Sequence, residues 1–426
     1  MPLKLLAVGD LHLGRTPAGV PSVLGESVGR LGPDAAWRRV VDTAIAESVH
    51  AVALAGDLVD HDQDFFEAQR LLAAGIERLL EHGIAVFAVA GNHDVDVLPR
   101  LARTIPGLQL LGAGGRWQRE QLEAGGETLS LHGWSFPARH VHGSPLERGQ
   151  PESGPGVNLG LLHCDLDASG SRYAPVARAA LQSTGLDGWL LGHIHKPGAL
   201  EAPNPIGYLG SVSALHPGET GPRGPWCVTI TNGRIESVDQ QVLAPLRWQP
   251  LSLDLSGIEQ ASEAEDRLLE RIVDLERELD RCHQPPLAVG LRLTLTGRTG
   301  LTGAAVEQLR QAATRNLAGR SHRQVFIDRL LAATRPEQAL ERLAKRNDPI
   351  GMAAQRLLLL DQQADDPARR RLVEAAWKRA GRLAAESRWN GARPLVLDEA
   401  FVVEQLRDVG VRLLDRMLAQ QARPDA

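Results

Sequence analysis

Asp10-Leu-His12, Gly56-Asp57, Gly91-Asn92-His93-Asp94, an isolated His163 and Gly192-His193-Ile194-His195 make one ordered set of metal-ligand residue types along the chain. With His93 and Asp94 set aside, four histidines, two aspartates and one asparagine are more donors than one tetrahedral ion takes, and no thiolate is among them. Such a set suits two borderline or hard divalent cations. A carboxylate can bridge two ions roughly 3.5–4 Å apart, and the pair can then activate water and clamp the attacking and leaving oxygens of a phosphoryl displacement. Asp57, alone and mid-set, is the expected bridge. Asp10 and His12 lie two apart, as do His193 and His195, so where a strand runs out both members of each pair can point to one side.

The elements that must position these residues are legible beside them. Each group follows a short apolar run: Leu3 to Val8, Ala51 to Ala55, Ile84 to Ala90, Leu159 to Leu162 and Trp189 to Leu191. Such runs, bounded by glycine and separated by helix-length segments, read as buried strands of an α/β sheet with the ligands at their carboxyl ends, where open α/β sheets place their sites. Asp34 is expected to cap a helix from Ala35 to about Ser48, with Trp37, Val40, Val41, Ala44 and Ile45 at helical spacing. A second helix is expected from about Asp64 to Glu81. Pro137 to Gly156 reads as a long surface loop. Trp226 to Ile230 and Arg234 to Val242, around Asn232-Gly233, read as a hairpin, expected to end the catalytic domain near Ala244 in a second sheet layer.

The five groups resemble, in order, the D-x-H, G-D, G-N-H-D, H and G-H-x-H motifs of the calcineurin-like metallophosphoesterase superfamily. The stretches Asn158 to His163, Tyr173-Ala-Pro175, Gly207 to Gly210 and Gly218 to Gly224 look like its SbcD/YhaO-like DNA-repair exonuclease branch, over about residues 1 to 245. Ser211-Val-Ser-Ala214 departs from it, standing where that subgroup carries a more polar, Arg-containing stretch. The resemblance implies a two-layered-sheet metallophosphoesterase core, a β-sandwich flanked by helices, followed by a small α+β cap domain and C-terminal helices. It assigns Asp10, His12, Asp57 and His195 to one metal and Asp57, Asn92, His163 and His193 to the other. His93 is left to protonate the leaving oxygen or steady the transition state, with Asp60 or Asp94 to orient it. Two divalent ions, manganese by resemblance, are the implied cofactor. The implied activity is a two-metal phosphodiesterase cleaving DNA as an exonuclease or endonuclease in double-strand-break repair. The implied partners are DNA, a second copy of the chain and an SbcC/YhaN-like coiled-coil ATPase subunit. The alternative is a metal-dependent phosphatase or phosphodiesterase acting on phosphoproteins or small nucleotides. Against a phosphoprotein phosphatase, His61-Asp62 follows Asp60 where such enzymes carry Arg-Gly.

The chain has 426 residues, 43% of them hydrophobic, so two or three domains are expected. The expected divisions are 1–245, the metallophosphoesterase domain; 246–335, an α+β capping domain read from a β-α-β-α-β order; and 336–426, a helical region with a break at Asn390 to Pro394. Met1 to Val8 lacks the pattern of a signal peptide and no run is long enough for a membrane span, so a cytoplasmic enzyme is expected. Cys164, Cys227 and Cys282 are odd in number and widely spaced, which argues against a disulfide framework. The net charge of −5 is unlike the basic balance of most DNA-binding proteins, yet eight Lys or Arg lie between Asp366 and Arg393 against three acids. His140 and His142 imitate an H-x-H pair in the loop, and His61 and His216 lie beside the bridge and in the late Gly-rich segment.

Overall fold

The computed structural model describes residues 2–60, 65–301, 309, 311, 323–336, 340–384 and 398–421. The expected helix from Ala304 to Leu317, the break at Asn390 to Pro394, and His61 lie outside the described residues, the first apart from two positions. The elements of the first half are β1 (Leu3–Val8), α1 (Pro33–Ala46), β2 (Ala51–Leu54), α2 (Phe65–Glu81), β3 (Ala85–Ala88), α3 (Leu98–Thr104), β4 (Leu108–Leu110), β5 (Gln118–Ala124), β6 (Glu127–Trp134), β7 (Val157–His163), α4 (Arg178–Ser183), β8 (Gly188–Gly192) and β9 (Ile206–Tyr208). After them come β10 (Trp226–Thr231), β11 (Arg234–Gln240), β12 (Leu246–Asp254), α5 (Ala261–Leu279), β13 (Ala288–Thr296), β14 (Arg298–Thr299), β15 (Gln324–Ala332) and β16 (Arg335–Pro336).

Two sheets dominate, one in the order β11-β10-β1-β2-β3-β4 and one in the order β5-β6-β7-β8-β9. The side chains of β1 explain why its run is apolar throughout. Leu6 and Val8 join a core with α1, α2 and α3, whereas Leu3, Leu5 and Ala7 join a second core with Leu129, Leu131, Leu159, Leu161 and Leu190 of the other sheet. With a period of two, alternate residues serve the helix layer and the sheet-on-sheet interface. The second sheet repeats the arrangement, its outer residues Trp189, Leu191 and Leu162 packing with Leu181 of α4. The architecture is therefore a β-sandwich flanked by helices, as expected.

Two local readings are corrected. Helix α1 starts on Pro33 after Gly32, and Asp34 sits in its first turn, where its carboxylate accepts from the Gly14 N–H at 3.2 Å and so does not cap. The proline supplies the preset φ of a first helical residue, which outweighs the capping preference of the aspartate beside it. The hairpin forms, with Asn232 and Gly233 both at positive φ, but β10 pairs antiparallel with β1 and so extends the first sheet. The second layer is built instead by β5 to β9.

The chain divides into two compact units, Met1–Ser252 with Arg267–Thr294 and Arg310–Leu331, and Leu253–Asp266 with Leu295–Leu309 and Ala332–Ala426. Strands β12, β13 and β15 form a three-stranded sheet in the order β12-β13-β15. Within the first unit Trp248 packs on Phe326, with ring centroids 5.5 Å apart, and joins Leu31, Ala214, Leu246 and Ala288 in a satellite core. In the second unit, helices Pro349–Leu359, Pro367–Ala384 and Glu399–Gln421 share a small core around Ile350, Leu357, Val373, Val402 and Leu414. Among the described residues no helix is long and apolar enough to cross a membrane.

Candidate metal centre

The carboxyl ends of β1, β2 and β3 in one sheet and of β7 and β8 in the other meet at one edge of the sandwich, and each delivers its residues there. Behind β1, the backbone N–H groups of Leu11 and His12 both donate to the Asp57 carbonyl, at 3.1 and 3.0 Å, so the first two loops are zipped together. Glycine is required where the loops close in. A Cβ on Gly91 would lie 2.2 Å from Asp57 Oδ1, and one on Gly192 would lie 2.1 Å from the Ala55 carbonyl oxygen. His12, Asp57 and His193 all hold positive φ, at 50°, 50° and 101°, a conformation that costs a non-glycine residue on the order of 1–3 kcal/mol and clusters at functional sites.

All seven residues expected as ligands come together. One cluster is Asp10, His12 and His195 and the other is Asp57, His163 and His193, with the ligand-type atoms within each lying inside 4.8 Å of one another. Asn92 joins the second cluster through His163, whose Nε2 lies 3.3 Å from Asp57 Oδ2 and 3.1 Å from Asn92 Oδ1. Asp10 is fully buried, takes the His193 N–H at 3.0 Å, and lies 3.9 Å from His163 Nδ1. His93 stands at the rim, its side chain 36% exposed and its ring centroid 5.5 Å from that of His12. Its Nδ1 lies 3.3 Å from both the carbonyl oxygen and Oδ1 of Asp60. Asp94, the other residue expected to orient it, is fully buried and accepts from the Leu58 and Gly91 N–H groups, at 2.7 and 2.8 Å, so its part is to shape the two loops.

The donor set fits divalent cations. His12 Nε2 and His195 Nε2 face each other at 3.0 Å, and buried His193 Nδ1 has no hydrogen-bond partner among the described residues. Imidazole nitrogens aimed at one another or at nothing are the arrangement a cation between them resolves. Their opposite nitrogens are already held. His12 Nδ1 lies 2.9 Å from Asp60 Oδ1, His195 Nδ1 2.6 Å from Glu219 Oε1, His163 Nδ1 3.0 Å from the Ala55 carbonyl, and His193 Nε2 3.2 Å from Asp165 Oδ1. Backing of this kind fixes tautomer and ring orientation in metal-ligating histidines.

The charges are strongly coupled. Burial alone would raise the Asp57 carboxyl, but the imidazoles of His163 first and then of His12 and His93 together outweigh burial and hold it far below the usual carboxylate range. Burial likewise favours neutral His163, yet the Asp57 and Asp10 carboxylates push it up to about 9. The His12 hydrogen bond holds Asp60 down at about 2 despite its burial. Asp94 is pushed up to about 7, by burial first and by the Asp57 charge second. A positive charge between the clusters is what these carboxylates favour, and a proton on His163 supplies it when no metal does.

Three polar residues escaped the sequence reading: Asp165, Glu219 and Arg223. Asp165 follows His163 at a spacing of two, a weak signal, whereas Glu219 and Arg223 reach the site through a loop whose return no local pattern encodes. Ser211 to Ala214 is buried beneath the site, the Val212 N–H donating to the Asp10 carbonyl at 3.2 Å. His216 Nε2 lies 3.4 Å from Glu219 Oε1. His140 belongs to neither cluster and packs on Tyr173, with centroids 5.8 Å apart, and Tyr173 in turn packs on His193 at 4.9 Å. Cys164 is a buried thiol pushed up by desolvation.

Residues 3–197 match the calcineurin-like phosphoesterase family, and residues 248–335 match the middle domain of metallophosphoesterase YhaO. The uncharacterized metallophosphoesterase YhaO of Bacillus subtilis is 29% identical over 277 residues, covering 60% of this chain and 64% of that protein. The DNA double-strand break repair proteins Mre11 of Methanopyrus kandleri and Aeropyrum pernix are 25% identical over 228 residues and 27% over 231, each covering 50% of this chain. The matched segment thus spans less than two thirds of YhaO and about half of the two Mre11 proteins, 49% and 54%. Residues 3–197 thus form a calcineurin-like phosphoesterase domain, followed at residues 248–335 by a segment that matches the YhaO middle domain, and the chain is similar to YhaO and to these Mre11 proteins.

Proposed function

We propose that this chain is a two-metal phosphodiesterase that cleaves DNA, acting in double-strand-break repair. The observation that carries the reading is the convergence of residues from five separate stretches into two adjoining donor clusters, with one imidazole, His93, left at the open rim. Asp10, His12, Asp57 and His195 would hold one divalent ion, and Asp57, Asn92, His163 and His193 the other, with manganese as the candidate. Two such ions supply Lewis acidity toward phosphoryl oxygens and bring the pKa of water within reach of neutral pH. The protein's own part begins with His93, whose Nδ1 is occupied by Asp60, so that its Nε2 faces the leaving 3′ oxygen and delivers a proton to it. Asp60 serves two rings at once and keeps His12 and His93 in fixed relation.

The Mre11 relatives, named for DNA double-strand break repair, support DNA as the substrate. A cavity of about 370 Å³ among the C-terminal helices is apolar, with exposed Met352, Val409 and Leu413, and supports a coiled-coil ATPase subunit as partner. Exposed Phe66 and Leu80 on α2 support a second copy docking there. Three free thiols suit the reducing cytoplasm as the site of action.

Purified protein with Mn2+ and end-labelled duplex DNA, run beside bis(p-nitrophenyl) phosphate, tests the reading. Metal-dependent DNA cleavage that His93→Ala abolishes is expected. Turnover of the small diester alone, or DNA binding without cleavage, overturns it.

A further inference from the structure

The seven ligand-type residues do not include the loop that closes over His195, and that loop is fastened from three sides. The Ala18 N–H donates to the Leu215 carbonyl at 2.8 Å. Arg292, on β13 of the middle domain, donates from Nη1 to the Pro217 carbonyl at 2.8 Å while its Nε lies 3.5 Å from Asp328. Arg223, 2% exposed, donates from Nε to the Glu219 carbonyl at 3.1 Å and from Nη1 to Ser211 Oγ at 2.7 Å and to the His195 carbonyl. At the centre is the Glu219 carboxylate, 7% exposed, which accepts from the Leu215 N–H through Oε2 at 2.7 Å and from His195 Nδ1 through Oε1 at 2.6 Å. No other carboxylate stands behind His195 among the described residues, and no such loop stands behind His163, whose Nδ1 rests on the Ala55 carbonyl. The two clusters therefore differ: His195 is backed by a loop that the middle domain holds, whereas His163 is backed by the backbone just after β2 and His193 by Asp165, two residues past His163.

We propose that Glu219 is a positioning residue for the ion of the Asp10–His12–His195 cluster, and that Arg292 acts on the same ion through the Leu215–Glu219 segment, which couples the middle domain to one of the two metal sites. The inference rests on the two-ion reading above. Glu219 accepts the Nδ1 proton of His195, which leaves Nε2 as the ligand nitrogen and sets the ring plane. Arg292 keeps Pro217, two residues away, from drifting, and so keeps the carboxylate under the ring. Loss of a residue that orients a ligand in this way weakens metal binding by roughly 10–100-fold.

Two-step Mn2+ binding isotherms on the full chain test this, with His12→Ala and His163→Ala identifying which step belongs to which cluster. Glu219→Ala is expected to weaken the His12-dependent step by roughly 10–100-fold and to leave the His163-dependent step unchanged. Arg292→Ala is expected to weaken the same step by less, and to add nothing in the Glu219→Ala background, because both act through one carboxylate. Should Glu219→Ala fail to fold, isosteric Glu219→Gln retains one of the two N–H acceptors and is expected to give an intermediate loss at the same step. Equal weakening of both steps, a normal isotherm in the Glu219 variants, or Arg292 and Glu219 effects that simply add overturns the proposal. If the wild-type chain binds no Mn2+, the two-ion reading itself fails, which is a different outcome from two normal steps that ignore Glu219.

Discussion

Loading the metal-free protein with Mn2+ should expel a proton from His163. In the absence of a cation both nitrogens of that ring face acceptors, Nδ1 the Ala55 carbonyl at 3.0 Å and Nε2 Asp57 Oδ2 at 3.3 Å, and the ring's pKa is pushed up to about 9. At pH 7.5, about 1.5 units lower, the ring is protonated by roughly 30 to 1. A nitrogen that ligates a metal carries no proton, so binding at this cluster releases about one proton per chain, and the apparent affinity rises about tenfold per pH unit from 6.5 to 8.5. Calorimetric titration of Mn2+ in PIPES, HEPES and Tris, whose ionisation enthalpies differ, counts the released protons, and His163→Ala should remove about one of them. The same shift bears on the stability of the metal-free fold. Its pKa lies above the unfolded value of about 6.5, so the stabilisation is complete below pH 6.5 and is lost as pH rises toward 9, by on the order of 3 kcal/mol. Binding that releases no protons, with an affinity flat across this range, would refute the ion-pair picture of the empty cluster.

Three further outcomes are expected. If His93 is the proton donor proposed above, His93→Ala should lower kcat by about 10²–10⁴-fold with two metal ions still bound, as counted by inductively coupled plasma spectrometry. Asp57→Asn should lower metal content below two per chain, since a carboxamide carries no charge to share between cations, and metal content matching wild type would refute its bridging role. Gly160→Ala places a methyl 2.2 Å from the Trp189 ring on the outer face of the second sheet, and should destabilise by about 1–3 kcal/mol in urea unfolding.

Much of the site was legible because buried strands carry two signals at once. The runs Leu3 to Val8 and Leu159 to Leu162 are apolar on both faces since each face meets a different core, and a polar ligand just after such a run can only sit at the strand's end. Strand β5, Gln-Arg-Glu-Gln-Leu-Glu-Ala, was not legible: its residues are mostly exposed or half-buried at the sheet edge, and pairing with β6 makes it a strand. The partner of the β10–β11 hairpin was likewise hidden, because its turn residues specify the hairpin and say nothing of which sheet edge it joins. Glu219 and Arg223 lay beyond reach for a related reason. A carboxylate 24 residues after His195 becomes its hydrogen-bond partner only once the Ser211 to Arg223 segment folds back beneath the site. Asp60 was readable from its place three residues after the bridge, though its hold on His12 was not.

Anomalous diffraction at the manganese edge from crystals grown with Mn2+ would locate the ions of a shared-carboxylate pair. Two peaks per chain roughly 3.5–4 Å apart are expected, one among Asp10, His12 and His195 and one among Asn92, His163 and His193, with an Asp57 oxygen within bonding distance of both. A single peak, or two peaks that do not share Asp57, would contradict that pairing.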